Sequence, residues 1–333
     1  MVQEKKLVDE VSGWLRIYDD GSVDRTWTGP DQFKFMAEPV PPHEQFINGV
    51  ATRDVTTNSG LRIRLYVPEK TPEDGDKLPI LLHFQGGGFC ISEPDWFMYH
   101  ETYSRFCRST RSIILSPFLR RAPEHRLPAA MDDGFDTLLW VQSVAQAGSH
   151  EPWLEQHGDF NRVFLIGDSS GGNIVHEVAA RAGSVDLNPV RLAGGIPVHP
   201  GFVRSSRSRS EMEMPQSPFL TLDMLDKFLS LALPVGCTKD HPFTCPMGEA
   251  APPLEGMKLP PILLCVAEMD LVRDTEMEYY EAMKKANKDV ELFISKGMTH
   301  SFYLNKVAVD LDPNVGAQME AFIRRVKEFI DKH

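Results

Sequence analysis

Val163-Phe164-Leu165-Ile166-Gly167-Asp168-Ser169-Ser170-Gly171 is the stretch that decides the fold. Its first four residues are apolar without alternation, which is how a strand buried on both faces of a sheet looks. The chain then passes directly into Gly-x-Ser-x-Gly, and residues 173–182 carry helical spacing. A strand that turns sharply into a helix at a serine holds that serine in a strained backbone. The flanking glycines admit neighbouring segments where a Cβ would clash. Ser169 would stand exposed above a helix N-terminus, which favours developing negative charge. The alternative for any such pentapeptide is an ordinary Gly/Ser turn; the strand before it and the helix after it favour a nucleophile.

Working outward, three more short apolar runs read as buried strands: Ile80-Leu81-Leu82, Ile113-Ile114-Leu115 and Ile262-Leu263-Leu264-Cys265-Val266. Val290-Glu291-Leu292-Phe293-Ile294 reads as a further strand. Between and after them, helical spacing covers 128–144, 275–288 and 315–332. Strands alternating with helices predict an α/β fold with a mostly parallel central sheet flanked by helices. At 333 residues the chain is long for one domain, yet large α/β folds often use this length as one, so 1–333 is taken as a single domain. Two regions break the rhythm. Residues 1–50 read as a hairpin (Trp14 to Tyr18, a turn at Asp19-Asp20-Gly21, Val23 to Trp27) and a Pro-rich connector. Residues 201–248 hold a Ser/Arg stretch and a helix-like segment from Leu222 to Leu233. Long insertions in such folds usually cover a site, so the first is expected to be an N-terminal lid and the second a small helical cap.

A nucleophilic serine needs a base, and the base needs an orienting acid. Asp270 lies just past the strand ending at Val266, and His300 follows the strand 290–294 in Gly297-Met298-Thr299-His300-Ser301-Phe302. Asp270 would hold one imidazole nitrogen of His300, leaving the other to take the Ser169 proton. Asp270 could instead be a helix N-cap and His300 a plain loop residue, and Glu268 and Asp274 compete weakly for the acid role. The order Ser, Asp, His and the placement after successive strands favour the triad. A third element, Phe84-Gln85-Gly86-Gly87-Gly88-Phe89, follows an early strand. Such a loop offers backbone N–H groups to an oxyanion, with Gly86, Gly87 and Ser170 expected as the oxyanion-hole donors. The phosphate-cradling G-x-x-x-x-G-K-[ST] pattern is absent.

Lys and Arg number 35 against 47 Asp and Glu, a net charge of −12 that repels phosphate backbones and anionic membranes. Neither nucleic acid nor membrane is expected as a partner, and oligomeric state is not readable. The apolar runs are too short for a membrane-spanning helix, and Met1 to Lys6 leads into no apolar signal segment. Five scattered cysteines (Cys90, Cys107, Cys237, Cys245, Cys265) without a CxxC pair read as reduced packing residues of a cytoplasmic protein. His83, His125, His176 and His199 lack metal-ligand spacing and are expected to be structural, so no metal is assigned. The Arg204–Arg209 cluster reads as a solvated loop.

Phe84 to Phe89, Ala122-Pro123-Glu124-His125-Arg126-Leu127-Pro128-Ala129-Ala130, Gly167 to Gly171, Asp270 and His300 together resemble the hormone-sensitive-lipase-like plant carboxylesterases of the α/β-hydrolase fold. Glu10-Val11-Ser12-Gly13-Trp14-Leu15-Arg16 and the stretch from Leu82 to Cys90 resemble the hypersensitivity-related esterase branch in particular. The resemblance implies a serine carboxylesterase acting on small esters without a cofactor, through an acyl-enzyme on Ser169. It also implies, by analogy with the gibberellin receptors on the same scaffold, that Asp168, Tyr99, Phe202 and Tyr303 surround the substrate. Those receptors have lost the histidine that His300 supplies here. The other alternative is a lyase, cyclase or methyl-ester hydrolase acting on a plant specialised metabolite; related dehydratases carry Thr where this chain has Ser169. Two departures stand out. The oxyanion motif usually starts with a His that pins the loop, and here Gln85 takes its place; Phe118-Leu119-Arg120-Arg121 replaces the usual Asp-Tyr-Arg-Leu.

Overall fold

The apolar runs become neighbours in one sheet. A computed structural model describes residues 5–11, 13–70 and 77–333. Its central sheet has eight strands in the order β11-β10-β9-β8-β6-β7-β5-β4. These are β4 (Val50–Thr56), β5 (Arg62–Pro68), β6 (Leu78–Phe84), β7 (Ile113–Pro117), β8 (Gly158–Asp168), β9 (Leu192–Val198), β10 (Ile262–Ala267) and β11 (Val290–Ser295). From β7 to β11 all neighbours are parallel, while β4 and β5 add an antiparallel edge. The mostly parallel sheet is as expected, but β4, β5 and β9 went unread. In β9 the reason is chemical: its centre is Gly194-Gly195, which carries no apolar signature. A Cβ on Gly194 would meet Phe329, and one on Gly195 would meet Val175. Successive residues thus point to opposite layers; Phe329 closes one side at Gly194, and Ile262 of the neighbouring strand closes the other at Gly195.

The helices are α1 (Phe97–Thr110), α2 (Ala129–Ala145), α3 (Pro152–His157), α4 (Ser170–Ala182), α5 (Arg209–Glu213), α6 (Leu222–Ala232), α7 (Arg273–Lys285), α8 (Lys306–Leu311) and α9 (Pro313–Lys332). α1 packs with α9, and α2 with α4. α6 is a short amphipathic helix: Thr221 caps it by accepting the Met224 N–H, and Met224, Leu225, Phe228, Leu229 and Ala232 form its buried face.

At the N-terminus, β1 (Leu7–Val11), β2 (Leu15–Tyr18) and β3 (Val23–Asp24) make a separate antiparallel sheet. The expected hairpin is its β2–β3 half, and β1 is an addition. Of the expected lid segment, residues 1–4 and Ser12 lie outside the described residues. Trp14 stacks on Trp96 with centroids 6.1 Å apart and meets Trp27 edge-on at 4.5 Å. Arg25 anchors the segment: it donates to the carbonyls of Cys90 (2.6 Å) and Ala122 (2.9 Å) and binds both carboxylate oxygens of Glu124. Lys227 of α6 donates to the Glu10 carbonyl at 2.8 Å.

All five cysteines are free, four of them buried and Cys237 exposed. Among the described residues no helix is long and apolar enough to cross a membrane. Removing the Arg25 guanidinium strips two carbonyls and a carboxylate of their donor, a loss of roughly 1–3 kcal/mol. Arg25→Ala is therefore expected to lower the unfolding free energy in urea by that amount. An unchanged midpoint and slope would show that the N-terminal sheet is not anchored through this side chain.

Candidate active site

Ser169 sits where β8 becomes α4, with φ 52° and ψ −122°, a conformation L-residues rarely adopt. It persists because the surroundings fix it. The Ser169 N–H donates to the Val198 carbonyl at 2.9 Å, and its own carbonyl accepts from Gly172 and Gly201 at 2.8 and 3.0 Å. A Cβ on Gly171 would lie 1.9 Å from the Phe84 carbonyl oxygen, so only glycine lets α4 start this close to β6. Although Ser169 precedes the helix, its hydroxyl makes no capping bond.

The structure brings Asp270 and His300 together. Asp270 follows β10 and His300 follows β11, so both, like Ser169, lie beyond the carboxyl ends of parallel strands. His300 Nδ1 is 2.7 Å from Asp270 Oδ2, and Asp270 Oδ1 accepts the Val272 N–H at 3.1 Å. Burial alone would raise the Asp270 carboxyl. The charge and hydrogen bond of His300, with His199 and the Val272 N–H adding to them, hold it below the usual carboxylate range. Glu268 and Asp274 are occupied elsewhere, with Gly297 and Lys296 and with Ser210 and Arg273 respectively.

Two buried groups beside this pair were not anticipated. His199, expected to be merely structural, accepts the Ser301 N–H on Nδ1 at 3.0 Å, next to His300 in the chain. Burial pushes it down to about 3, so it stays neutral. His199, Asp270 and His300 have ligating atoms within 4.8 Å of one another and are the one metal-capable group among the described residues. The Asp270–His300 hydrogen bond fits proton handling directly. Glu276, in the first turn of α7, is fully buried with neither carboxyl oxygen hydrogen-bonded among the described residues. Burial and the Asp270 charge raise it well above the usual range.

The glycine loop corrects one expected donor. The Gly86 N–H donates to Tyr99 Oη at 3.0 Å, so it is not available to an anion. Gly87 and Gly88 line the cavity above Ser169, and Gly86 does not. The N–H groups of Gly87, Gly88 and Ser170 meet no acceptor among the described residues. Phe89 N–H donates to Ser170 Oγ at 3.1 Å, which ties the loop to the start of α4. Gln85 Oε1 is buried without a partner among the described residues, so it does not replace the pinning histidine as an acceptor there.

The cavity encloses about 60 Å³, and Ser169 and His300 both open into it. Of the four residues expected around the substrate, Tyr99 and Asp168 line the cavity, and Phe202 and Tyr303 do not. Phe202 packs on Tyr279 at 4.5 Å beneath α7, and Tyr303 packs on Phe322 of α9 at 5.1 Å. Much of the apolar wall comes instead from Trp14, Ile91, Met98, Phe219 and the α6 side chains. The unusual Arg120 and Arg121 are both paired, with Asp133 and Glu93. Arg204, Arg207 and Arg209 pair with Glu278, Glu211 and Glu213 and stay outside the cavity.

Residues 81–304 match the family described as the alpha/beta hydrolase fold. The chain is 34% identical over 326 residues to a probable carboxylesterase of Arabidopsis thaliana (carboxylesterase 6), covering 95% of this chain and 91% of that one. It is also 34% identical to a gibberellin receptor of the same plant, over 81% of this chain and 80% of the receptor. Among solved structures, carboxyl esterase 2 of the fungus Tuber melanosporum superposes with a TM-score of 0.70 at 20% identity, covering 91% of this chain and 95% of that one. At that identity the likeness speaks for the fold alone.

Gly88 has φ 61°, and a Cβ there would fall 2.4 Å from Cγ of Phe228. The Phe228 side chain of α6 thus lies directly against the loop. Gly88→Ala is expected to push α6 away and to lower stability by about 1–3 kcal/mol, the usual cost of overpacking. A wild-type urea midpoint for this variant would mean that Phe228 and the loop are not in contact.

Proposed function

The chain belongs to the α/β-hydrolase fold family and is a carboxylic ester hydrolase, and we propose that Ser169, His300 and Asp270 are its catalytic triad. The observation that carries the assignment is that Ser169, uncapped and strained, opens into the same cavity as a histidine whose Nδ1 is held 2.7 Å from a buried aspartate. Ser169 Oγ attacks the ester carbonyl while His300 Nε2 takes its proton; Asp270 fixes the tautomer and stabilises the imidazolium. The negative oxygen settles among the N–H groups of Gly87, Gly88 and Ser170 at the positive end of α4. His300 returns the proton to the departing alcohol. Water, deprotonated by the same nitrogen, then releases the acid and regenerates Ser169.

The cavity supports small, uncharged esters as substrates. Its wall is mainly apolar, and no lysine or arginine is among the described lining residues to pair a substrate carboxylate. Residues 1–50 act as a lid and 201–248 as a cap on one domain of residues 1–333. Trp14 from the first segment and Phe219 to Leu229 from the second reach the same cavity, which supports that division. Five free thiols favour a reducing compartment, the cytoplasm. The net charge of −12 argues for neither nucleic acid nor an anionic membrane surface as a partner.

Turnover of p-nitrophenyl acetate and butyrate is the direct test. The wild-type protein is expected to hydrolyse both, acetate faster. Ser169→Ala and His300→Ala are each expected to lose several hundredfold or more in kcat, on the scale of triad deletions. A folded wild-type protein inert on both esters would overturn the esterase assignment.

A further inference from the structure

Gly86 is an oxyanion-loop glycine whose N–H is already spent, and the side chain that takes it leads back to the nucleophile. We propose that Tyr99 positions the oxyanion loop against the nucleophile turn through one hydroxyl that joins Gly86 to Asp168; the proposal rests on Ser169 being the nucleophile.

Tyr99 Oη accepts the Gly86 N–H at 3.0 Å and donates its proton to Asp168 Oδ2, also at 3.0 Å. A phenol has one proton, so donation to the carboxylate leaves the oxygen lone pairs for the amide and fixes both directions. Asp168 directly precedes Ser169 in the chain. Its other oxygen faces His83 Nε2 at a long 3.5 Å, and His83 Nδ1 lies 2.8 Å from Ser116 Oγ. Burial lowers His83, so the imidazole is neutral and its Nε2 can carry the proton Asp168 accepts. The ring of Tyr99 is buried beside His83 (5.6 Å) and stacked with Tyr103 (6.3 Å), so the hydroxyl is aimed from a rigid helix.

The peptide that Tyr99 grips is held from its other side too. Ser92 Oγ donates to the Gly86 carbonyl at 2.5 Å. A Cβ on Gly86 would lie 2.5 Å from Asp168 Oδ2, so loop and turn are in contact and a small rotation of this peptide moves Gly87 and Gly88 relative to Ser169. Gln85, which stands where a pinning histidine is usual, leaves its buried carbonyl oxygen unused. The amide side of the Gly86 peptide is held from α1 instead, by Tyr99. Burial and the Asp168 charge raise Tyr99 well above the ordinary phenol range, so the hydroxyl keeps its proton through the working range of the enzyme.

The experiment compares Tyr99→Phe, Gln85→Met and Ser169→Ala on p-nitrophenyl acetate, with phenylboronic acid as a tetrahedral probe whose oxygen enters the oxyanion site. Tyr99→Phe keeps the ring and is expected to lower kcat about tenfold to a hundredfold, less than deleting an oxyanion donor outright, with KM within about twofold. Phenylboronic acid affinity should fall by the same factor as kcat. Gln85→Met is expected to lose clearly less than Tyr99→Phe in both readouts. A purely structural Tyr99 would lower the unfolding temperature while leaving kcat and boronate affinity of the folded variant unchanged, and that result overturns the proposal. Equal losses in Gln85→Met and Tyr99→Phe also overturn it, because the loop would then be held from Gln85. Should Tyr99→Phe not fold, Asp168→Asn loosens the far end of the same hydroxyl. It is expected to move kcat and boronate affinity downward together, and unchanged values overturn the proposal. Full turnover in Ser169→Ala would instead remove the nucleophile assignment itself, which keeps the two failures apart.

Discussion

Backbone pressed against backbone is the constraint on which the site depends. The chain leaving β8, the loop leaving β6 and the start of α4 meet at Gly86, Gly167 and Gly171, where no Cβ could stand. That contact brings Gly87, Gly88 and Ser170 near one another, and it forces Ser169 into a conformation the rest of the fold must hold in place. Side chains then complete what the main chain begins. Tyr99, Ser92 and Ser170 hold the loop through its own amide and carbonyl groups rather than through its side chains.

The charge arrangement is similarly economical. Beside His300, the Asp270 carboxyl is held below its usual range, His199 is pushed down to about 3 by burial, and Glu276 is raised well above its usual range by burial and the Asp270 charge. A second buried charge at either neighbour would compete for the His300 proton or leave an uncompensated ion in a low-dielectric site. His199 adds a mechanical function, because its Nδ1 accepts the amide next to His300 and so restrains the loop that carries His300. Asp270 is bound to its partner and to a backbone N–H at once, so its orientation is settled before any substrate arrives.

Strands made of continuous apolar residues, helices with a 3.6-residue apolar stripe, and the Ser–Asp–His order were all legible in the sequence, because each is a local pattern. β9 was hidden by Gly194 and Gly195, whose role is set by Phe329 and Ile262 from distant parts of the chain. α1 was hidden because its buried face includes His100, Thr102 and Thr110 beside its aromatic residues. Spacing alone could not say which glycine of the triplet keeps a free N–H; the answer depends on a hydroxyl thirteen residues later. The same limit explains Phe202 and Tyr303. Both lie near the site in sequence, and both turn into cores that the sheet and its helices create. The apolar cavity wall is the least legible part, since α6 and the segment around Trp14 reach it only through tertiary packing.

Cys90 lies just past the oxyanion loop, and its thiol faces the Phe228 carbonyl of α6 at 3.6 Å. Burial pushes that thiol up to about 12, so in the closed protein it is neither accessible nor ionised. A thiol reagent in excess therefore titrates Cys237 at once and the four buried sulfurs only as the structure opens. Modification of Cys90 requires the α6 and Arg25 contacts over it to open, so its rate reports on that opening. The protein carries its own reporter of how often the roof of the cavity lifts, independent of any ester and of Ser169.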